Sequence, residues 1–293
     1  MISVLIPTYN YNVFPLVENL SKQCDKERIE YEIIVIDDCS DKLFENEKIN
    51  SLVHCCFSRL TKNIGRSAIR NLLAEQAKFD WLLFLDADAF PLSNNFIYNY
   101  VKEFNYSAEV LCGGMRYEAE KPSDDKIFRW KYGNNREALT AIQRSENEYL
   151  NFFTINFAIR KSVFNQVRFN EKLLSYGYED LLFSYNLKQE NIQIKHIENP
   201  VYHNGIESND FFLRKTEQAL VNLNFLLNEK IIPKDYIKLT KYLNIIEKTK
   251  TKKVVALFFK LTKPSLQKQI LSTNPNLLAF DLYRLGYICS LKS

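Results

Sequence analysis

The chain has 293 residues, 46% hydrophobic and 25% charged, an ordinary composition for a soluble globular protein of one large domain or one domain with an appendage. Six cysteines with no CxxC pair speak against a disulfide framework or a zinc knuckle, and neither a signal peptide nor a transmembrane helix is expected, since MISVLIPTYN lacks a basic start and no apolar run approaches 18 residues. The net charge is only +4, but residues 230–293 hold 13 Lys and Arg against 3 acids, a net of +10, and the rest of the chain stands at −6.

The elements alternate. Ile2–Ile6 reads as a buried strand ended by Pro7. Residues 12–23 have helical spacing, with Phe14, Val17 and Leu20 on one face. Tyr31–Ile36 is a second β-branched strand, running into Asp37-Asp38, and 51–57 makes a third. Ile64–Ala77 follows as a helix with Ala68, Leu72 and Leu73 inward, then a fourth strand, Trp81–Leu85, closed by Asp86. A helix at 94–105 and a strand at Glu109–Gly113 continue the pattern. Residues 116–150 are rich in charge and Asn and read as a long, partly mobile lid or binding loop with one short helix. Thr154–Ala158 and Ile192–Ile197 are strands, and Glu179–Leu187 is a helix. From 208 the pattern is helical, with breaks expected at Pro264 and Pro275.

Strand and helix alternating every 15–20 residues signal an α/β fold with a parallel sheet, whose ligands sit beyond the carboxyl ends of the strands. Pro7-Thr8, Asp37-Asp38 and Asp86-Ala87-Asp88 all fall at such ends, so one rim of one sheet gathers three polar clusters. Two carboxylates one residue apart can face a single ligand, and their hard oxygens suit Mg2+ or Mn2+ rather than zinc. The alternative is a helix cap, from Asp88 or Ser93, for the helix near 94.

The motifs IPTYN (6–10), VIDDCS (35–40), NIGRSAIRN (63–71) and LFLDADAF (83–90) come in an order and spacing that resembles the nucleotide-binding half of a family-2 inverting glycosyltransferase with the GT-A fold, a bacterial-type enzyme of glycan or polysaccharide biosynthesis. The resemblance continues through CGGMRY (112–117), NFAIRKSVF (156–164), YGYEDLLFSYNL (176–187) and VYHNG (201–205), about residues 1–205 in all. It implies a glycosyltransferase domain over 1–207, with a nucleotide-binding half (1–90) and a donor and acceptor half (91–207), followed by a basic helical extension (208–293).

The resemblance also implies roles. Pro7, Thr8 and Tyr9 would pack beside base and ribose, and Asp38, next to Asp37, would accept the uracil imide N–H. A carboxylate offers little to an adenine edge, which favours a UDP-sugar. Asn63, Gly65 and Arg70 would flank base and diphosphate, although Arg70 reads equally as a buried partner for Asp38 or Asp86. Asp86, Ala87 and Asp88 match the DxD motif, with Asp88 and His203 as ligands of Mn2+ or Mg2+. Taken alone, a histidine is more often structural than ligating, but of three in the chain only His203 lies between a strand and a Gly. Asp180, with Glu179 next, would be the base that deprotonates the acceptor hydroxyl; both acids also suit the positive end of the helix they begin. Thr154, Asn156, Gly113, Gly114 and Arg116 would border the donor sugar.

Two rivals differ in class. An NDP-sugar-forming nucleotidyltransferase wants a Gly-rich basic loop after strand 1, which IPTYNYN lacks. A non-catalytic nucleotide-sugar-binding module would be favoured by missing acids, yet Asp38, Asp86, Asp88, Asp180 and His203 are all present. The acceptor is expected to be a glycan or a lipid-linked saccharide. The Lys-rich tail around VVALFF (254–259) reads as an anionic-membrane contact, placing a cytoplasmic protein on the inner membrane face, or else as a solvated helical surface, an acceptor wall or an oligomer contact. No nucleic-acid motif accompanies it.

Overall fold

A computed structural model describes residues 1–42, 44–104, 108–173 and 176–291. In chain order its elements are β1 (Ile2–Thr8), α1 (Phe14–Glu27), β2 (Tyr31–Asp37), a 3-10 turn (Glu45–Ser51), β3 (Cys55–Arg59), α2 (Arg66–Gln76), β4 (Trp81–Leu85), β5 (Ala89–Pro91), α3 (Phe96–Val101), β6 (Val110–Cys112), β7 (Met115–Arg116), α4 (Ile127–Arg136), α5 (Ala141–Ser145), β8 (Asn156–Arg160), α6 (Lys161–Gln166), α7 (Glu179–Gln189), β9 (Ile194–His196), β10 (Val201–His203), α8 (Asn209–Asn228), α9 (Lys238–Lys248), α10 (Lys252–Ile270) and α11 (Leu277–Ser290). They form two compact units, one of Met1–Tyr117, Glu137–Leu174 and Glu179–Gly205, the other of Glu118–Arg136, Ser175–Tyr178 and Ile206–Ser293.

The first unit is an α/β layer structure. Seven strands run in the order β3-β2-β1-β4-β8-β6-β9. All neighbours pair in parallel except β8, which is antiparallel to both β4 and β6. The apolar runs of β1, β2 and β4 are buried on both faces, as central strands covered by helices must be. Pro7 does not end β1: it pairs with Ile36 on the β2 side, while pairing with β4 stops at Leu5. With only one neighbouring strand there, the missing amide disrupts little. Under the sheet Phe84, Phe157, Phe164, Phe169 and Phe183 form one aromatic cluster, with Phe169 and Phe183 stacked at 4.3 Å.

A second sheet, β5-β10-β7, was not foreseen from sequence. Its strands of two or three residues are too short for an alternating pattern to register. It matters because β10 runs antiparallel to β5 with His203 opposite Ala89, which fixes the histidine beside the end of the acidic motif.

Several expected boundaries move. The third strand is 55–59, not 51–57, because 45–51 coils into the 3-10 turn. The expected loop 116–150 contains two helices, α4 and α5; Thr140 caps α5 in a reciprocal box with Gln143. The helix expected at 94–105 is α3, and residue 105 lies outside the described residues.

The second unit is helical. Phe128, Phe212, Leu213, Phe259, Phe280 and Tyr283 make its core. The break expected at Pro264 is absent, and α10 runs through it. Pro264 and Lys260, whose carbonyl loses the amide partner, are both exposed, so water can replace the bond. Among the described residues no helix is long and apolar enough to cross a membrane.

Candidate functional site

The three polar strand ends converge at one rim. β1 and β2 are in register from Ile2–Tyr31 to Thr8–Asp37, so Thr8 and the two acids of VIDDCS leave the sheet side by side. The two acids then diverge in use. Asp37 accepts the backbone N–H of Ser40 at 2.6 Å and closes the turn after β2. Asp38 accepts the N–H of Ile64 at 2.7 Å and of Gly65 at 3.0 Å, one on each carboxylate oxygen. Asn63 donates to the Asp38 carbonyl at 3.0 Å. This ties the entry of α2 to the end of β2, and Gly65, at φ +85°, makes the turn into that helix. Each carboxylate oxygen has two acceptor sites, so Asp38 keeps capacity for a further donor. Tyr9 is 47% exposed and donates to Asp41 at 2.8 Å.

Arg70 is buried and donates to Asp86 Oδ1 at 2.6 Å, the partner reading of the two that the sequence leaves open. Its Nε has no hydrogen-bond partner, and its guanidinium lies 5.5 Å from the centre of the Phe169 ring. Asp180, in the first turn of α7, accepts from Thr154 Oγ1 at 2.9 Å and from the Thr154 N–H at 3.3 Å. Burial, with the neighbouring charge of Glu179, pushes its carboxyl up to about 6, against the pull of Arg70 and the Thr154 bond. Arg66 lies 3.9 Å from Glu179. Asp86 and Asp180 thus lie within the influence of Arg70, and Asp88 and Glu179 within that of Arg66.

Asp88 does not cap a helix. Its Oδ2 stands 3.2 Å from His203 Nε2, and its carbonyl accepts the Asn204 N–H at 2.9 Å. Gly205 is required here, because a Cβ would land on the Asp88 carboxylate. Burial works to raise the Asp88 carboxyl, but His203, with help from Arg66, holds it below the usual range.

Behind the histidine stands a relay that the sequence reading missed. The Tyr117 hydroxyl donates to Glu137, and His203 Nδ1 lies 3.1 Å from the same hydroxyl. A hydroxyl has one proton, so Tyr117 can only accept from His203. His203 Nδ1 therefore carries a proton toward Tyr117, and Nε2 is the atom turned to Asp88. Tyr117 ends the CGGMRY motif, but nothing in the sequence pairs it with a glutamate 20 residues on.

These donors fit a hard divalent ion. Asp88 Oδ2 and His203 Nε2, 3.2 Å apart, would both hold one such ion. Among the described residues no group of three or more His, Cys, Asp or Glu forms a metal cage. The pair would thus supply two ligands and leave the rest to water and substrate phosphates.

The glycine pair has an internal reason. A Cβ at Gly113 would meet Asn156, Asn199 and Tyr100, and one at Gly114, where φ is +79°, would meet the guanidinium of the fully buried Arg144. Asn156 is itself fully engaged. It donates to Gly114 O and Asn199 O at 2.9 Å and accepts from Tyr100 at 2.7 Å. Arg144 donates to Ile197 O at 2.7 Å and to His196 Nδ1 at 3.1 Å, and burial pushes that imidazole down to about 4. Arg116, expected at the donor sugar, pairs with Glu198 at 2.5 Å.

A family model described as "Glycosyl transferase family 2" matches residues 3–168. Two curated relatives are similar over shorter stretches. An "Uncharacterized glycosyltransferase" of Haemophilus influenzae is 37% identical over 90 residues, 30% of this chain and 29% of that protein. "Poly(ribitol-phosphate) beta-N-acetylglucosaminyltransferase TarS" of Staphylococcus aureus is 36% identical over 139 residues, 46% of this chain and 22% of TarS. The chain thus spans less than a third of the length of the curated relatives it matches. Among solved structures, S. aureus TarS 1–349 in complex with UDP-GlcNAc aligns with 97% of this chain and 90% of its own (TM-score 0.53, 20% identity). The mannosyltransferase PcManGT of Pyrobaculum calidifontis, in complex with GDP-Man and Mn2+, aligns with 76% of this chain and 63% of its own (TM-score 0.54, 15% identity). Both share the GT-A-like fold, a mostly parallel sheet flanked by helices. The family model covers more than half of the 293 residues, and the chain belongs to glycosyl transferase family 2.

Proposed function

We propose that the protein is a metal-dependent, inverting glycosyltransferase that moves a sugar from a UDP-sugar to a hydroxyl of a glycan or lipid-linked acceptor. The single observation that carries the reading is the pair Asp88 Oδ2 and His203 Nε2, 3.2 Å apart, with the imidazole held from behind by Tyr117 and Glu137. Asp88 and His203 would hold Mn2+ or Mg2+, and such an ion, when bound, neutralises the diphosphate and stabilises UDP as it leaves.

The remaining work falls to the chain's own side chains. Asp38, anchored on Ile64 and Gly65, presents its spare acceptor capacity to the uracil imide N–H. Thr8 and Tyr9 flank base and ribose at the end of β1. Arg70 holds Asp86 in place from within the unit, so Asp86 faces the ribose as a fixed acceptor. Asp180 is the base. A carboxyl at about 6 is ionised at neutral pH yet basic enough to take the acceptor proton as the hydroxyl attacks C1 on the face opposite UDP. Thr154 keeps both Asp180 oxygens oriented. TarS is named a β-N-acetylglucosaminyltransferase and was solved with UDP-GlcNAc, which supports a UDP-sugar and makes UDP-GlcNAc the first donor to try.

The test is a UDP-sugar hydrolysis panel with Mn2+ on the wild type and on Asp88→Ala, followed by NMR of the product anomer. Turnover of one UDP-sugar that Asp88→Ala loses, with inverted configuration, is expected. Retained configuration would remove Asp180 from the base role, and indifference to Asp88→Ala would remove the metal.

A further inference from the structure

We propose that the helical unit carries a docking face for an anionic lipid bilayer, built on the outward side of α10. Val254, Leu257, Phe258 and Leu261 stand at i, i+3, i+4 and i+7, an apolar stripe about 100° wide. They are 66%, 62%, 66% and 74% exposed. The stripe is not the face that holds the fold together. Phe259 and Ile270, on the other side of the same helix, pack into the core with Phe280 and Tyr283. A helix apolar on both sides has one side with no role in its own unit, and four large apolar side chains this exposed mark a contact surface.

The charge around the stripe selects the partner. Residues 238–270 contain nine lysines and one acid, Glu247, which is paired with Lys234 and Lys252. Lys253 and Lys260 are exposed and run along one edge of the stripe. The preceding helix repeats the combination: Tyr242 and Ile245 are 49% and 56% exposed on α9, beside the exposed Lys241 and Lys248. Two copies of so basic a face would repel each other, whereas the negative potential of an anionic leaflet attracts it. The helix lies on such a surface rather than spanning it, since no described helix can cross a membrane. This inference rests on the helical unit alone and is independent of the donor chemistry.

Flotation of the full chain tests it, with vesicles of phosphatidylcholine alone and with about one-third phosphatidylglycerol. The wild type is expected to float only with the anionic vesicles and to be released by salt. Leu257→Ser with Phe258→Ser abolishes flotation, and Lys253→Gln with Lys260→Gln lowers the partition about 25-fold, roughly fivefold per lysine. All four side chains are exposed, so the variants keep the wild-type melting temperature. Equal recovery with both vesicle types, no flotation by the wild type, or unchanged binding by both variants would overturn the proposal. So would light scattering that finds a stable dimer which Leu257→Ser with Phe258→Ser splits, since the stripe would then belong to a second copy. UDP-sugar hydrolysis in free solution, unchanged in these variants, separates failure of this inference from failure of the donor reading.

Discussion

Asp38→Asn is the sharpest probe of how the nucleotide end of the site is built. Asp38 is buried, and both its oxygens are in use, on Ile64 N–H at 2.7 Å and Gly65 N–H at 3.0 Å. An amide can keep one of those bonds; its NH2 must then face the other N–H, donor against donor. One charge-assisted bond is lost and one buried N–H is orphaned, a cost of about 2–3 kcal/mol. At 2–4 °C per kcal/mol for a domain of this size, melting should fall by about 4–12 °C. UDP affinity, by calorimetry, should fall at least about tenfold, because the imide loses its acceptor while the α2 entry loosens. Asp37→Asn is the internal control. Its carboxylate accepts from Ser40 N–H through one oxygen, which an amide oxygen reproduces, so melting should move by about 2 °C or less and UDP binding by less than about threefold. Equal effects from the two variants, or Asp38→Asn melting with the wild type, would refute the distinction between the neighbouring acids.

Other perturbations follow from the same geometry. Tyr117→Phe removes the hydroxyl that His203 Nδ1 and Glu137 share; Mn2+ affinity, read by electron paramagnetic resonance, should weaken about 10- to 100-fold, and an unchanged affinity in a folded variant would show that the relay orients nothing. The Asp180 carboxyl is neutral below about 6 and a base above it, so kcat/KM should rise with pH through about 6 and level off, while Asp180→Asn should be nearly inactive at every pH; a flat wild-type profile would contradict the assignment. Gly114→Ala places a Cβ at φ +79° against the Arg144 guanidinium and should destabilise by about 2–4 kcal/mol in a denaturant titration, whatever ligand is present; a neutral result would mean that Arg144 can move aside.

What the sequence could convey follows from periodicity. β1, β2, β4 and α2 carry long apolar runs or clean helical spacing and, like α7, were legible to within a residue or two. The three rim clusters followed from strand ends alone. The 3-10 turn at 45–51 hid the start of β3, and α4 and α5 hid within a charged, Asn-rich stretch whose inward residues are few. At the site the acids and His203 were identifiable by type and position, but their partners were not. The sequence left Arg70 between a ligand role and a partner for Asp38 or Asp86; that Asp38 ties β2 to α2, and that Asn156 and Arg144 fill the space beneath the glycine pair, are facts of packing between segments far apart in the chain. The Tyr117–Glu137 relay left no local signal, because it depends on β7, a strand of two residues, pairing with β10.

The cation site is reached most directly by titrating Mn2+ calorimetrically into the wild type, Asp88→Ala and His203→Ala, each with and without UDP. One Mn2+ per wild-type chain is expected, bound more tightly when UDP supplies its phosphates, with loss of that coupling in both variants. UDP binding that is indifferent to Mn2+ in the wild type, or a coupling that survives the loss of either side chain, would contradict it.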